Sequence, residues 1–200
     1  PWWKYRISKP SQGVDALFQT VYTPQRNLSM YLNYRYKQKE RDVTGTGGKS
    51  ILPTFHHRFR YRFTYAPEIW KFQTTIDYNH FHSQGETNSQ GYQCTQSCGC
   101  IFPHFPFSIS FQGTYFHTKD YDSRVYAYEK GLLNTFYAPS FYGRGFRYSA
   151  HLRYDYKQVF MLLIKFGQTI YQDRESIGTG NDLIEGNEKA DLQLQLRMKF

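Results

Sequence analysis

The last ten residues, Asp191-Leu192-Gln193-Leu194-Gln195-Leu196-Arg197-Met198-Lys199-Phe200, decide the reading. Polar and apolar side chains alternate there without a break. Side chains along a strand point to opposite faces in turn. One face therefore carries Leu192, Leu194, Leu196, Met198 and Phe200, and the other carries Asp191, Gln193, Gln195, Arg197 and Lys199. A two-faced strand of about ten residues is long enough to cross a bilayer at a barrel's tilt. It would also serve as one strand of a soluble sandwich, so the rest of the chain must decide.

Working upstream, the same alternation recurs. It predicts strands over Val14–Tyr22, Leu28–Lys39, Phe55–Tyr65, Trp70–His82, Tyr92–Phe102, Phe107–Thr118, Phe146–Tyr156 and Phe160–Tyr171. Trp2–Ser8 reads as the end of a further, truncated strand, which brings the expected number to about ten. Tight turns fall at Thr23–Asn27, Ala66–Glu68, Pro103–Pro106 and Lys157–Val159, where Pro or small polar residues break the pattern. Longer connections are expected at Glu40–Thr54, Ser83–Gly91, Lys119–Gly145 and Gln172–Ala190. Short turns alternating with long loops suit an up-and-down barrel whose turns lie on one side of a membrane and whose loops lie on the other. The long aromatic stretch Lys119–Arg144 is expected to fold on itself outside the membrane.

Composition points the same way. The chain has 200 residues, with 19 Tyr and 17 Phe, yet its mean hydropathy is −0.70. A polar chain rich in rings suits a barrel in which only alternate residues meet lipid and aromatics gird both interfaces. The net charge of +9 suits nucleic acid, lipopolysaccharide phosphates or anionic solutes without choosing among them. The fold class expected is therefore all-β, a transmembrane antiparallel up-and-down β-barrel. Ten strands could close alone, but strand-like sequence already starts at residue 2, so the chain reads as the C-terminal portion of a larger barrel whose upstream strands pair the edges that lipid would not tolerate open.

The polar face is basic. The expected lumen-facing residues are Arg35, Lys37, Arg58, Arg60, Arg62, Lys71, Arg147, Arg153, Lys165, Arg197 and Lys199. With a tight Ala66–Glu68 turn, Arg58 would face Asp77 across its hairpin. Such pairs would make a polar plug; an anion-conducting or nucleic-acid-guiding lumen is the alternative.

The remaining motifs carry little chemistry. Gly45-Thr46-Gly47-Gly48-Lys49-Ser50 imitates a phosphate-binding loop, but Val43 stands where its first glycine belongs, and Pro53 and a strand follow instead of a helix. Cys94, Cys98 and Cys100 lack a second pair for a zinc ribbon and share the expected lipid face. His56, His57, His80 and His82 gather at one end of a hairpin without a carboxylate and read as interface residues. Ser, His and Asp occur, but no strained turn marks a nucleophile. No catalytic residue, metal or cofactor is expected.

Three runs carry a family resemblance: Y-D-S-R-V-Y-A-Y-E (Tyr121–Glu129), F-Y-G-R-G-F-R-Y (Phe141–Tyr148) and the tail from Tyr171 to Phe200. Together they resemble the C-terminal barrel of Bacteroidota outer-membrane proteins that carry a separate helix-hairpin-helix domain similar to competence-type DNA-binding proteins. The resemblance implies a Gram-negative outer-membrane location and a missing periplasmic domain able to bind DNA. No residue present here inherits that DNA role. The implied partners are outer-membrane lipid and lipopolysaccharide, barrel-assembly machinery engaging the C-terminal strand, and other envelope proteins. The function expected is that of a membrane-embedded anchor, narrow channel or envelope-complex component; a solute or DNA transport barrel, such as the C-terminal part of a TonB-dependent transporter, is the alternative.

Overall fold

The computed structural model describes residues 7–45, 48–84, 88–135, 138–157 and 159–199. Most of the strand expected at Trp2–Ser8 lies outside them, as does Phe200. Ser8, which is described, is not in a strand; its N–H donates to the Asp42 carboxylate at 3.0 Å.

The described chain is all-β. Its strands are β1 (Gly13–Gln25), β2 (Leu28–Gly45), β3 (Gly48–Tyr65), β4 (Trp70–Ser83), β5 (Ser89–Ile101), β6 (Phe107–Thr118), β7 (Val125–Tyr126), β8 (Ser140–Phe141), β9 (Arg144–Tyr156), β10 (Phe160–Tyr171), β11 (Ser176–Ile177), β12 (Ile184–Glu185) and β13 (Glu188–Met198). Nine of them form one sheet in the order β1-β2-β3-β4-β5-β6-β9-β10-β13, every neighbouring pair antiparallel. The sheet order follows chain order because antiparallel neighbours can be joined directly by hairpin turns. β7 pairs with β8, and β11 with β12, as two small separate ladders. Among the described residues β1 and β13 do not pair with each other, so the sheet is not closed.

Two connections are shorter than the sequence suggested. The expected Glu40–Thr54 loop is instead a continuation of β2 and β3, with pairing that runs through Asp42↔Ile51 to Gly45↔Gly48. Val43 and Ile51 are β-branched and suit that ladder. β5 likewise pairs back as far as Phe81↔Ser89, which shortens the expected Ser83–Gly91 loop. Only the connections from β6 to β9 and from β10 to β13 are long.

The β3–β4 register also differs from expectation. Arg60, not Arg58, stands opposite Asp77, and Arg58 stands opposite Asn79. The cause is the turn: the Trp70 N–H donates to the Pro67 carbonyl at 2.8 Å, and Glu68 adopts φ 43°. The connection therefore takes two more residues than a tight Ala66–Glu68 turn would. A slip of two preserves every facing, whereas a slip of one would have inverted it.

The sheet is rolled. Tyr128 and Glu129 are adjacent, so their Cα atoms lie about 3.8 Å apart. Tyr128 meets the Arg60 guanidinium of β3 at 4.6 Å, and Glu129 meets Lys165 of β10 at 2.8 Å. In a flat sheet those strands would lie roughly 24 Å apart, at about 4.8 Å per ladder step. Side chains projecting from one face reach neighbouring residues from both flanks when the sheet curls around them.

Candidate functional site

Alternation and register together divide the sheet into two faces of opposite character. On the face turned away from the roll, large apolar side chains from each of the nine strands of this sheet are exposed. They include Phe18, Tyr34, Phe59, Trp70, Ile76, Tyr92, Phe111, Phe146, Phe166 and Leu194. On the other face, the buried residues are mostly polar: Thr75, Asp77, Gln93, Thr95, Thr114, Arg147, His151, Lys165 and Thr169. A water-soluble domain sorts its side chains the other way round.

The sequence-predicted residues fall accordingly. Leu192, Leu194, Leu196 and Met198 of β13 lie on the apolar face and are exposed, Leu192 by 70%. The registers bring Arg35, Lys37, Arg58, Arg60, Arg62, Lys71, Arg147, Arg153, Lys165 and Arg197 onto one face, the polar one. Lys199 follows β13 and lines a small cavity with Arg197 and Arg153.

Most of these cations have partners. Arg35 and Lys37 share the Asp15 carboxylate at 2.6 and 3.2 Å. Arg60 pairs with Asp77, whose other oxygen accepts from the Gln93 amide at 2.6 Å. Arg62 lies over the Tyr31 ring at 5.4 Å, and Arg153 pairs with Asp155 at 2.5 Å. Arg58 is different: it lies 6.0 Å from the Tyr126 ring centroid and pairs with no carboxylate among the described residues.

The main finding that sequence reasoning missed is the position of Lys119–Arg144. It does fold on itself, through the β7–β8 ladder, but against the sheet rather than away from it: its middle lies along the polar face. At one end Val125, Ala127 and Phe141 pack on Phe116 and Tyr171 in a small apolar cluster, with the Phe116 and Phe141 rings stacked at 4.7 Å. Farther along, Asn79 donates to the Arg124 carbonyl at 2.7 Å and Gln93 to the Tyr126 carbonyl at 2.8 Å. The backbone of Leu133 exchanges two hydrogen bonds with the Gln195 amide of β13. These contacts satisfy backbone groups that would otherwise be buried unpaired.

At the centre of this segment sits Glu129, its side chain 1% exposed. It accepts from Arg147 at 2.5 and 3.0 Å and pairs with Lys165 at 2.8 Å. Arg147 also reaches Asp191 of β13 at 2.9 Å. Gly167 makes room for this: a Cβ there would come within 2.9 Å of the Arg147 guanidinium carbon. A buried carboxylate between two buried cations is stable only while all three stay together. The network therefore fastens the inserted segment to β9, β10 and β13.

The other motifs are placed as follows. His57 and His80 face each other across β3 and β4 on the apolar side, their rings 5.9 Å apart; His82 shares that side and His56 does not. Cys94, Cys98 and Cys100 share the apolar face as free thiols. Among the described residues no three His, Cys, Asp or Glu side chains gather in a way that could hold a metal ion. Comparison of the chain with family models, with curated proteins and with solved structures found no match.

Proposed function

We propose that this chain is an integral outer-membrane β-barrel module, its apolar face in lipid and its polar interior plugged by the segment between β6 and β9. The observation that carries this reading is the inverted sorting of side chains, with rings and aliphatics outside and paired charges within. The exposed apolar surface is on the order of 1,500 Å², counting about half of the 150–250 Å² that each large ring offers. Soluble monomers rarely expose a contiguous patch larger than a few hundred Å². Hydrocarbon accounts for it without a buried partner.

The function that follows is that of a membrane-embedded anchor or envelope-complex component, without catalytic activity. The free edges of β1 and β13 must find strand partners in lipid, because unpaired backbone there costs several kcal/mol per group. β13 is the edge that barrel-assembly machinery would meet. Most of the interior cations already have carboxylate or aromatic partners, which favours a plugged lumen over one that conducts solutes or guides DNA. The possible link to a periplasmic DNA-binding domain rests on the family resemblance alone.

The test is reconstitution. The refolded chain should insert into lipid vesicles, resist carbonate extraction and migrate differently on unheated and heated detergent gels. A chain that stays monomeric and soluble without lipid or detergent would refute the proposal.

A further inference from the structure

A cavity of about 270 Å³ lies between the sheet and the inserted segment, lined by Arg35, Lys37, Lys39, His56, Arg58, Asp122 and Arg124. Five of these side chains are permanently cationic. Among the described residues, the carboxylates nearby are Asp122, which Arg41 engages at 3.3 Å, and Asp15, which Arg35 and Lys37 share. The cavity therefore keeps an excess of positive charge.

Two guanidiniums on opposite walls have no carboxylate partner among the described residues. Arg58 projects from β3, and Arg124 belongs to the inserted segment. Both flank the Tyr126 ring, at 6.0 and 5.9 Å from its centroid. Arg124 is held in place: its Nε donates to the Tyr126 hydroxyl at 2.8 Å, an Nη donates to the Tyr121 carbonyl at 3.0 Å, and its carbon lies 4.2 Å from the Tyr121 ring centroid. Two like charges lining one cavity raise each other's energy, and an anion bound between them would offset that cost. Guanidinium N–H groups match the oxygens of a phosphate, and Arg124 keeps donors beyond those given to Tyr126 and Tyr121.

We propose that this cavity is a binding site for a phosphate group, bridged by Arg58 on the sheet and Arg124 on the inserted segment, with Lys37 and Lys39 completing its wall. The volume suits one or two phosphate groups and lies at the low end of ligand pockets, which run to about 300–1,000 Å³. A bound phosphate would tie the inserted segment to β3, at the end opposite the Glu129 network. The inference concerns the interior and does not depend on what covers the apolar face.

The experiment is calorimetric titration of the full chain in detergent micelles with inorganic pyrophosphate at constant ionic strength. Binding with Kd below about 1 mM is expected. Arg58→Gln and Arg124→Gln should each weaken it at least tenfold, while Arg197→Gln, the same charge change elsewhere on the polar face, should leave it unchanged. Pyrophosphate should also slow protease cleavage between residues 119 and 144. The two variants lie on different elements, so if one fails to fold the other decides. A second arm uses phosphatidic acid in mixed micelles: competition with pyrophosphate would assign the site to a lipid headgroup, and no competition to a soluble phosphate ester. No pyrophosphate binding, or equal weakening by all three variants, would overturn the proposal.

Discussion

Replacing Ile76 with arginine separates the lipid-facing account from any account in which the apolar face meets water. Ile76 is 44% exposed on the apolar face and lies midway along β4, opposite Tyr61 on one side and Cys94 on the other. It stands six residues from Trp70, roughly 20 Å along the strand at about 3.3 Å per residue. At a tilt near 45° that is about 14 Å of depth, close to the centre of an apolar band about 25 Å tall. An arginine at that depth costs about 2–4 kcal/mol, falling to about 0–1 near the interfaces. Met198, at the end of β13, supplies the shallow comparison. The assay is urea unfolding in lipid vesicles, followed by tryptophan fluorescence. With a slope of about 1–3 kcal/mol per molar urea, Ile76→Arg should lower the midpoint by about 1–2 M, and Met198→Arg by much less. An exposed substitution in water changes stability by only about 0.5 kcal/mol in either direction. An Ile76→Arg effect that small in vesicles would refute the reasoning.

Three further outcomes are expected. Glu129→Gln removes the carboxylate that Arg147 and Lys165 share and leaves Arg147 with Asp191; by analogy with broken buried pairs it should cost about 3–5 kcal/mol, seen as faster protease cleavage between residues 119 and 144 in the reconstituted protein. Gly143→Ala places a methyl group at φ +85°, against the Asp173 carboxylate and the Arg174 guanidinium; a loss of about 1–3 kcal/mol in thermal unfolding is expected. Partial burial opposes ionisation of Asp173, but Arg174 and the Arg144 N–H outweigh it and hold the carboxyl below the usual carboxylate range. A lowered pKa gives stability that is present above the unfolded value near 3.9 and lost as pH falls through the folded one. Asp173→Asn should therefore flatten the acid limb of the stability profile and leave the profile above pH ~6 parallel to that of the parent.

How much of this was legible in the sequence depended on the range of the interaction. Period-two alternation is a local property, so the faces of Leu28–Lys39 or Phe146–Tyr156 could be read directly, and a register slip of two could not disturb them. Loop ends were harder. Gly45 and Gly48 look like loop residues, yet the hydrogen-bonded ladder continues through them because Val43 and Ile51 keep the strand going. Turn chemistry hid the register: nothing in Ala66-Pro67-Glu68 alone says that Glu68 will take a positive φ and lengthen the hairpin. The inserted segment was illegible for a different reason. Glu129 finds Lys165 and Arg147 across 36 and 18 residues of chain, and no local pattern in Tyr121–Glu129 encodes those partners. Of the basic residues, membership of the polar face was readable, but not that Arg58 would miss the Asp77 carboxylate, since that follows from Arg60 standing opposite Asp77 in its place.

The central claim is that the apolar face meets hydrocarbon, and nitroxide accessibility along β9 tests it most directly. Single cysteines at residues 146–154, in a background with Cys94, Cys98 and Cys100 replaced by serine, would be spin-labelled in vesicles and exposed to oxygen and to a nickel chelate. Oxygen contact should peak at Phe146, Tyr148, Ala150, Leu152 and Tyr154 and fall at Arg147, Ser149, His151 and Arg153. A flat profile, or nickel contact peaking at the even positions, would contradict the account.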